Sequence, residues 1–144
     1  MGTLGQSIWL DYIRRDLIAN GELKRLIEED RSRGMTSDPA IFEKAIGESH
    51  DYDEDIRDQM LAGKDAKPIY ETISQCDVQS AADVFRSLYD RTDGGDGYVS
   101  LEINPHLAYK TKETIEEGKR LAHKVNRPNV MFKVPATDAG YGVC

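Results

Sequence analysis

Cysteine is scarce: Cys76 and Cys144 are the only two in 144 residues. Two thiols cannot build a disulfide framework, and so few fit a reducing cytoplasm. No stretch approaches the ~18 apolar residues of a membrane-crossing helix. The N-terminus lacks the basic start and apolar core of a signal peptide. Positive charge is also in deficit, with 19 Lys and Arg against 26 Asp and Glu, a net charge of −7. With no basic stripe, that balance argues against nonspecific binding to nucleic acid or to an anionic membrane, and the 31% charged fraction argues for solubility. The histidines, His50, His106 and His123, show no metal-ligand spacing. Asp90, Asp93 and Asp96 lie among glycines, but the twelfth residue counted from Asp90 is Leu101, where a calcium loop needs a glutamate. Gly140-Tyr141-Gly142 lacks the third glycine and the strand–helix setting of a dinucleotide fingerprint.

What is present is alternation. Ser7 to Tyr12 reads as a first strand, and Arg14 to Asp30 as helix, with Leu17, Ile18, Leu23, Leu26 and Ile27 mostly on one face and a break at Gly21. Arg33 to Ser37 reads as a second strand, followed by Asp38 in an N-cap position and Pro39 in the first turn of a helix. Tyr52, Ile56 and Met60 are spaced by four in an acidic helix. Val78, Ala81, Ala82, Phe85, Leu88 and Tyr89 form a helical stripe for which Asp77 is the expected N-cap. The turn Asp93-Gly94-Gly95-Asp96-Gly97 leads into a third strand, Tyr98 to Ile103. Thr111 to Asn126 follows as helix with Ile115, Ala122 and Val125 inward, then a fourth strand from Asn129 to Pro135. Strands alternating with helices are the signature of a parallel sheet. Neither an internal repeat nor a second domain is visible, and residues 1–144 read as one unit.

Lys133 is a lone charge in the apolar run Val130-Met131-Phe132-Lys133-Val134-Pro135. Such a run suits a strand buried on both faces, where an ammonium is costly unless paired or deprotonated. A desolvated lysine gives a free amine able to attack a carbonyl and form a Schiff base. The alternative is a strand-end lysine with its head in water.

Four segments, in order, carry a resemblance: Ser7-Ile8-Trp9-Leu10-Asp11-Tyr12; Arg33-Gly34-Met35-Thr36-Ser37-Asp38-Pro39-Ala40-Ile41-Phe42; Gly97-Tyr98-Val99-Ser100-Leu101-Glu102-Ile103-Asn104-Pro105; and Lys133-Val134-Pro135-Ala136-Thr137. Together they resemble the transaldolase family from about Leu4 to about Thr137. The resemblance implies a (β/α)8 barrel, of which 144 residues supply the first half, since a complete barrel runs to ~250 residues. On that reading the chain stops soon after strand four, and the tail Asp138 to Cys144 is expected to depart from the family.

The resemblance also assigns roles. Lys133 aligns with the Schiff-base lysine, Asp11 with the proton-transferring aspartate, and Glu102 with the glutamate that moves protons through a bound water. Thr36 and Asp38 align with substrate-side positions on the second strand, where the family usually has Asn in place of Asp38. An ionised Asp only accepts hydrogen bonds, whereas Asn also donates. No metal or organic cofactor is implied, because the lysine is the electron sink. Sugar phosphates are the implied partners, with self-association of a half-barrel as a second expectation. From the residues alone, Asp11 could instead cap a helix and Glu102 pair with a surface lysine. Residues at the C-terminal ends of barrel strands converge on one site, which is the reason to group them.

Overall fold

The computed structural model describes residues 5–143. Four strands form one sheet in the order β1-β2-β3-β4, parallel throughout: β1 Ile8–Asp11, β2 Ser32–Thr36, β3 Tyr98–Glu102 and β4 Val130–Lys133. Helices α1 (Arg15–Ala19) and α2 (Glu22–Glu28) connect β1 to β2. Helices α3 (Pro39–Gly47), α4 (Asp53–Leu61) and α5 (Ala66–Arg91) connect β2 to β3, and α6 (Thr111–Val125) connects β3 to β4. A short α7 (Asp138–Tyr141) follows β4. Strands in sequence order joined by helices are the arrangement of the first half of a (β/α)8 barrel.

Each element follows from local chemistry. Gly21 ends the first helical run at φ 86, a left-handed conformation that glycine adopts without penalty. Asp38 caps α3 by accepting from the Ile41 backbone N–H at 2.8 Å, with Pro39 at the first helical position. The turn before β3 closes on Gly97 at φ 85, where a Cβ would fall 2.5 Å from the Tyr89 nitrogen. Asn129 joins strand starts to helix: its amide donates to the carbonyls of Ala82 at 2.8 Å and Gly97 at 2.9 Å.

The core lies between one face of the sheet and the helices. Met35, Val99 and Leu101 from the strands, with Ile103 just beyond β3, pack on Leu17, Leu23 and Ile27, on Val78, Ala81, Phe85 and Leu88 of α5, and on Leu121 and Val125 of α6. A smaller cluster, Ala45, Tyr52, Ile69 and Ile73, seats α3 and α4 on the first turns of α5.

Three expectations need correction. Asp77 is not an N-cap. It lies in the middle of α5, which starts at Ala66 behind Asp65, and its buried carboxylate accepts from the Tyr52 hydroxyl at 2.8 Å and Arg15 Nε at 3.1 Å. Burial pushes that carboxyl up despite both partners. Ile69 and Ile73 carry the α5 stripe further toward the N-terminus than the sequence pattern was read. In α6, Ala122 is exposed; Thr114, Leu121 and Val125 face in. Finally, β4 is not buried on both faces, since Met131 is 43% exposed while Val130 and Phe132 pack on the core.

Glu71 clasps α5 to α6. Its carboxylate accepts from Arg120, from Lys124 Nζ at 2.9 Å and from Gln75 Nε2 at 2.9 Å. The Arg120 hydrogen bond outweighs desolvation and holds this carboxyl down at about 2. A folded value below the unfolded one stabilises the fold above the unfolded value and is lost as pH falls toward the folded one. The full shift corresponds to ~3 kcal/mol, and solvent screening reduces it to about 1–2 kcal/mol. Glu71→Gln should therefore lower stability by about 1–2 kcal/mol at pH 7 and flatten the loss between pH ~5 and pH ~2. Urea midpoints of the two proteins across that window check it; parallel acid limbs would remove Glu71 from the explanation.

Candidate active site

Side chains alternate across a strand, so the helices can claim only every second residue. In β3 they take Val99 and Leu101, and Ile103 just beyond, leaving Ser100 and Glu102 on the opposite face. In β2 they take Met35 and leave Thr36; in β1 they take Leu10 and leave Trp9 and Asp11. In β4 they take Val130 and Phe132 and leave Met131 and Lys133. Asp11, Thr36, Ser100, Glu102 and Lys133 thus collect on the face away from the helices, toward the C-terminal ends.

Register sets their heights. Asp11 stands opposite Thr36, and Thr36 opposite Ser100. Glu102 stands opposite Lys133, two residues farther along β3, which is ~7 Å of strand. Lys133 Nζ lies 3.6 Å from Glu102 Oε2 in a partly exposed ion pair, with side-chain exposures of 37% and 25%. Thr36 and Ser100 are joined below it, the Ser100 hydroxyl donating to Thr36 Oγ1 at 2.8 Å. Ser37, fully buried, turns the other way and donates to the Ser100 carbonyl at 2.7 Å.

Four of the five sequence candidates, Asp11, Thr36, Glu102 and Lys133, therefore share one face and one end of the sheet. The fifth, Asp38, lies just past β2, where one oxygen is committed to capping α3. Asp11 is not a helix cap, because α1 begins at Arg15 with Arg14 as its N-cap residue. Glu102 does pair with a lysine, and that lysine is Lys133.

Two residues near these candidates carry no motif signal. Ser100 was visible only through alternation, as the small polar residue two before Glu102. Tyr70 comes from α5, outside every strand motif. Its ring meets Phe42 edge to face at 6.1 Å. Burial first, then the charges of Asp38, Glu102 and Glu43, pushes its phenol up to about 12. Tyr70 and Glu102 also line a cleft of about 370 Å³ between α5, α6 and the end of β3, together with Gln75, Leu101, Asn104 and His106. Chemically, the face offers an amine beside a carboxylate, a second carboxylate within the same open surface, and hydroxyls between them. That set can add an amine to a carbonyl and shuttle the protons this requires.

The family model described as transaldolase/fructose-6-phosphate aldolase matches residues 8–144. A transaldolase 2 of Nostoc sp. (strain PCC 7120) is 46% identical over 136 residues, covering 94% of this chain and 36% of that protein. A transaldolase 2 of Streptomyces coelicolor is 43% identical over 136 residues, covering 94% and 37%. A transaldolase of Thiobacillus denitrificans is 43% identical over 137 residues, covering 95% and 38%. The chain spans little more than a third of the length of these curated relatives. The tail from Asp138, expected to depart from the family, falls inside the span that the family model matches. The chain belongs to the transaldolase/fructose-6-phosphate aldolase family.

Proposed function

We propose that this chain carries the Schiff-base half of a transaldolase site, serving transfer of a dihydroxyacetone unit from sedoheptulose 7-phosphate to glyceraldehyde 3-phosphate in the cytoplasmic pentose phosphate pathway. The observation that carries the reading is the Lys133–Glu102 pair at 3.6 Å, on the same sheet face as Asp11 and Thr36. Glu102 is the nearby base that can take the ammonium proton, directly or through a water. The freed Nζ adds to the ketose carbonyl, the carbinolamine loses its hydroxyl as water, and an iminium remains. The iminium draws in the electron pair of the adjacent carbon–carbon bond. Asp11 takes the proton of the neighbouring hydroxyl, whose carbon leaves as the aldehyde of erythrose 4-phosphate. The enamine left on Lys133 attacks the acceptor aldehyde, the proton returns, and water hydrolyses the imine to release fructose 6-phosphate. Thr36 and Asp38 line the path of the substrate hydroxyls.

Borohydride with fructose 6-phosphate should trap a covalent adduct at Lys133, found by peptide mass spectrometry, and Lys133→Ala should remove it, because only an amine at the substrate carbonyl gives a reducible imine. An adduct on another lysine with Lys133 unmodified would refute the assignment.

Asp38→Asn should keep the α3 cap, since Asn and Asp cap equally well. It should add an amide donor toward the substrate, raising the transfer rate by about fivefold, the worth of one net hydrogen bond of ~1 kcal/mol. Steady-state rates of both forms, in a protein that turns over, decide this; an unchanged or lower rate makes Asp38 only a cap.

We also propose that the open edges of the sheet associate. Among the described residues β1 and β4 each pair on one side only, and Ile8, Tyr12 and Met131 on or beside them are exposed. Unpaired parallel edges with apolar neighbours template further pairing. Light scattering after size exclusion should give a mass above the 16.2 kDa of one chain. A monomer at all concentrations would count against edge pairing.

A further inference from the structure

The pairing of β1 with β2 is not regular. Ile8 stands opposite Ser32, but the next residue, Trp9, stands opposite Gly34, so β2 contributes one extra residue, Arg33. From there the register runs evenly to Asp11 opposite Thr36. Had the Ile8–Ser32 register continued, Asp11 would stand opposite Met35, which is fully buried against the helices. Side-chain direction has period two, so a one-residue slip moves a whole strand's side chains to the other face. The bulge at Arg33 is therefore what lets Asp11 and Thr36 share a face.

Two kinds of contact hold the bulge. Its backbone is partnered: the Arg33 carbonyl accepts from the Gly97 N–H at 2.7 Å, and the Ser32 hydroxyl donates to the Gly34 carbonyl at 3.2 Å. Its surface is filled by the Trp9 indole. A Cβ added to Gly34 would fall 2.5 Å from both Trp9 Cδ2 and Cε2, and 2.9 Å from Cζ2. The ring occupies the volume that any other residue at position 34 would need.

We propose that Trp9 and Gly34 form a register lock. The indole seated on the bare Cα of Gly34 fixes the bulge, and through it the height and direction of Asp11. Neither residue touches reacting atoms; both are positioning residues. The catalytic importance of the lock rests on the proton-transfer role proposed above for Asp11, but its test reads register without turnover.

Trp9 is the only tryptophan in the chain, so the tryptophan emission comes from this ring alone. The experiment compares wild type, Trp9→Phe, Trp9→Ala and Gly34→Ala as the full 144-residue chain. Cross-strand backbone NOEs of labelled protein give register, and far-UV circular dichroism monitors the helices. Wild type and Trp9→Phe should both show the Asp11–Thr36 contact. Trp9→Ala should lose it while the helices remain. Gly34→Ala should displace the indole, giving red-shifted emission, stronger acrylamide quenching and loss of the same contact. An Asp11–Thr36 contact at wild-type intensity in Trp9→Ala, or unchanged emission and quenching in Gly34→Ala, would overturn the lock. If Trp9→Ala does not fold, rescue by Trp9→Phe and the response of Gly34→Ala decide the matter. A failure of borohydride trapping at Lys133 would bear on the Schiff-base reading alone, since the NOEs and emission do not depend on it.

Discussion

A parallel strand shows its side chains to two faces, and in this sheet the helices cover only one of them. The placement of every candidate side chain on the strands depends on that division. Met35, Val99 and Leu101 are buried because α5 and α6 lie on their side. Thr36, Glu102 and Lys133 fall between those residues and keep partial exposure on the other face, with Ser100 buried beneath them against Thr36. The same period that builds the core therefore assembles the site, and an error of one residue in register would exchange the two.

The division also explains how a lysine and two acidic residues coexist on short strands without heavy cost. Lys133 and Glu102 are partly exposed and compensate each other across 3.6 Å. An ammonium fully buried without a partner would be far more expensive. Asp77 is nearly sealed, but it accepts from Tyr52 and Arg15, and Arg15 lies 4.6 Å over the Tyr52 ring. That network fastens the start of α1, four residues after Asp11, to α4 and α5. Rigid helices thus support the loop beyond β1, while Asp11, Glu102 and Lys133 stay exposed or partly exposed on the open face.

Much of this was legible in the sequence, for physical reasons that differ by residue. The strand–helix alternation, the Gly21 break, the Asp38 cap and the Gly97 turn are local events, and their residues sit where local sterics and hydrogen bonding require. Lys133 stood out because a charge in an apolar run is costly enough to need a reason. Asp77 mimics a cap because Asp before an apolar stripe is also the signature of one; its true partners are 25 and 62 residues away. Pro68 and the polar residues around it hid the start of α5, although proline is tolerated in a helix's first turn. Spacing alone points Ala122 inward, and a small residue carries little burial preference to correct that. The β1–β2 bulge had no sequence signal of its own, since it depends on a ring from one strand meeting a glycine on the other.

The helix-free face of this sheet is proposed as a carbonyl-binding surface built around Lys133. A crystal structure of the protein after borohydride reduction with fructose 6-phosphate tests it most directly. The account predicts density continuous from Lys133 Nζ to the second carbon of the sugar unit, with the adduct on the open face between Asp11 and Glu102. Density on a different lysine, or an adduct at Lys133 directed into the helix layer away from both carboxylates, would contradict it.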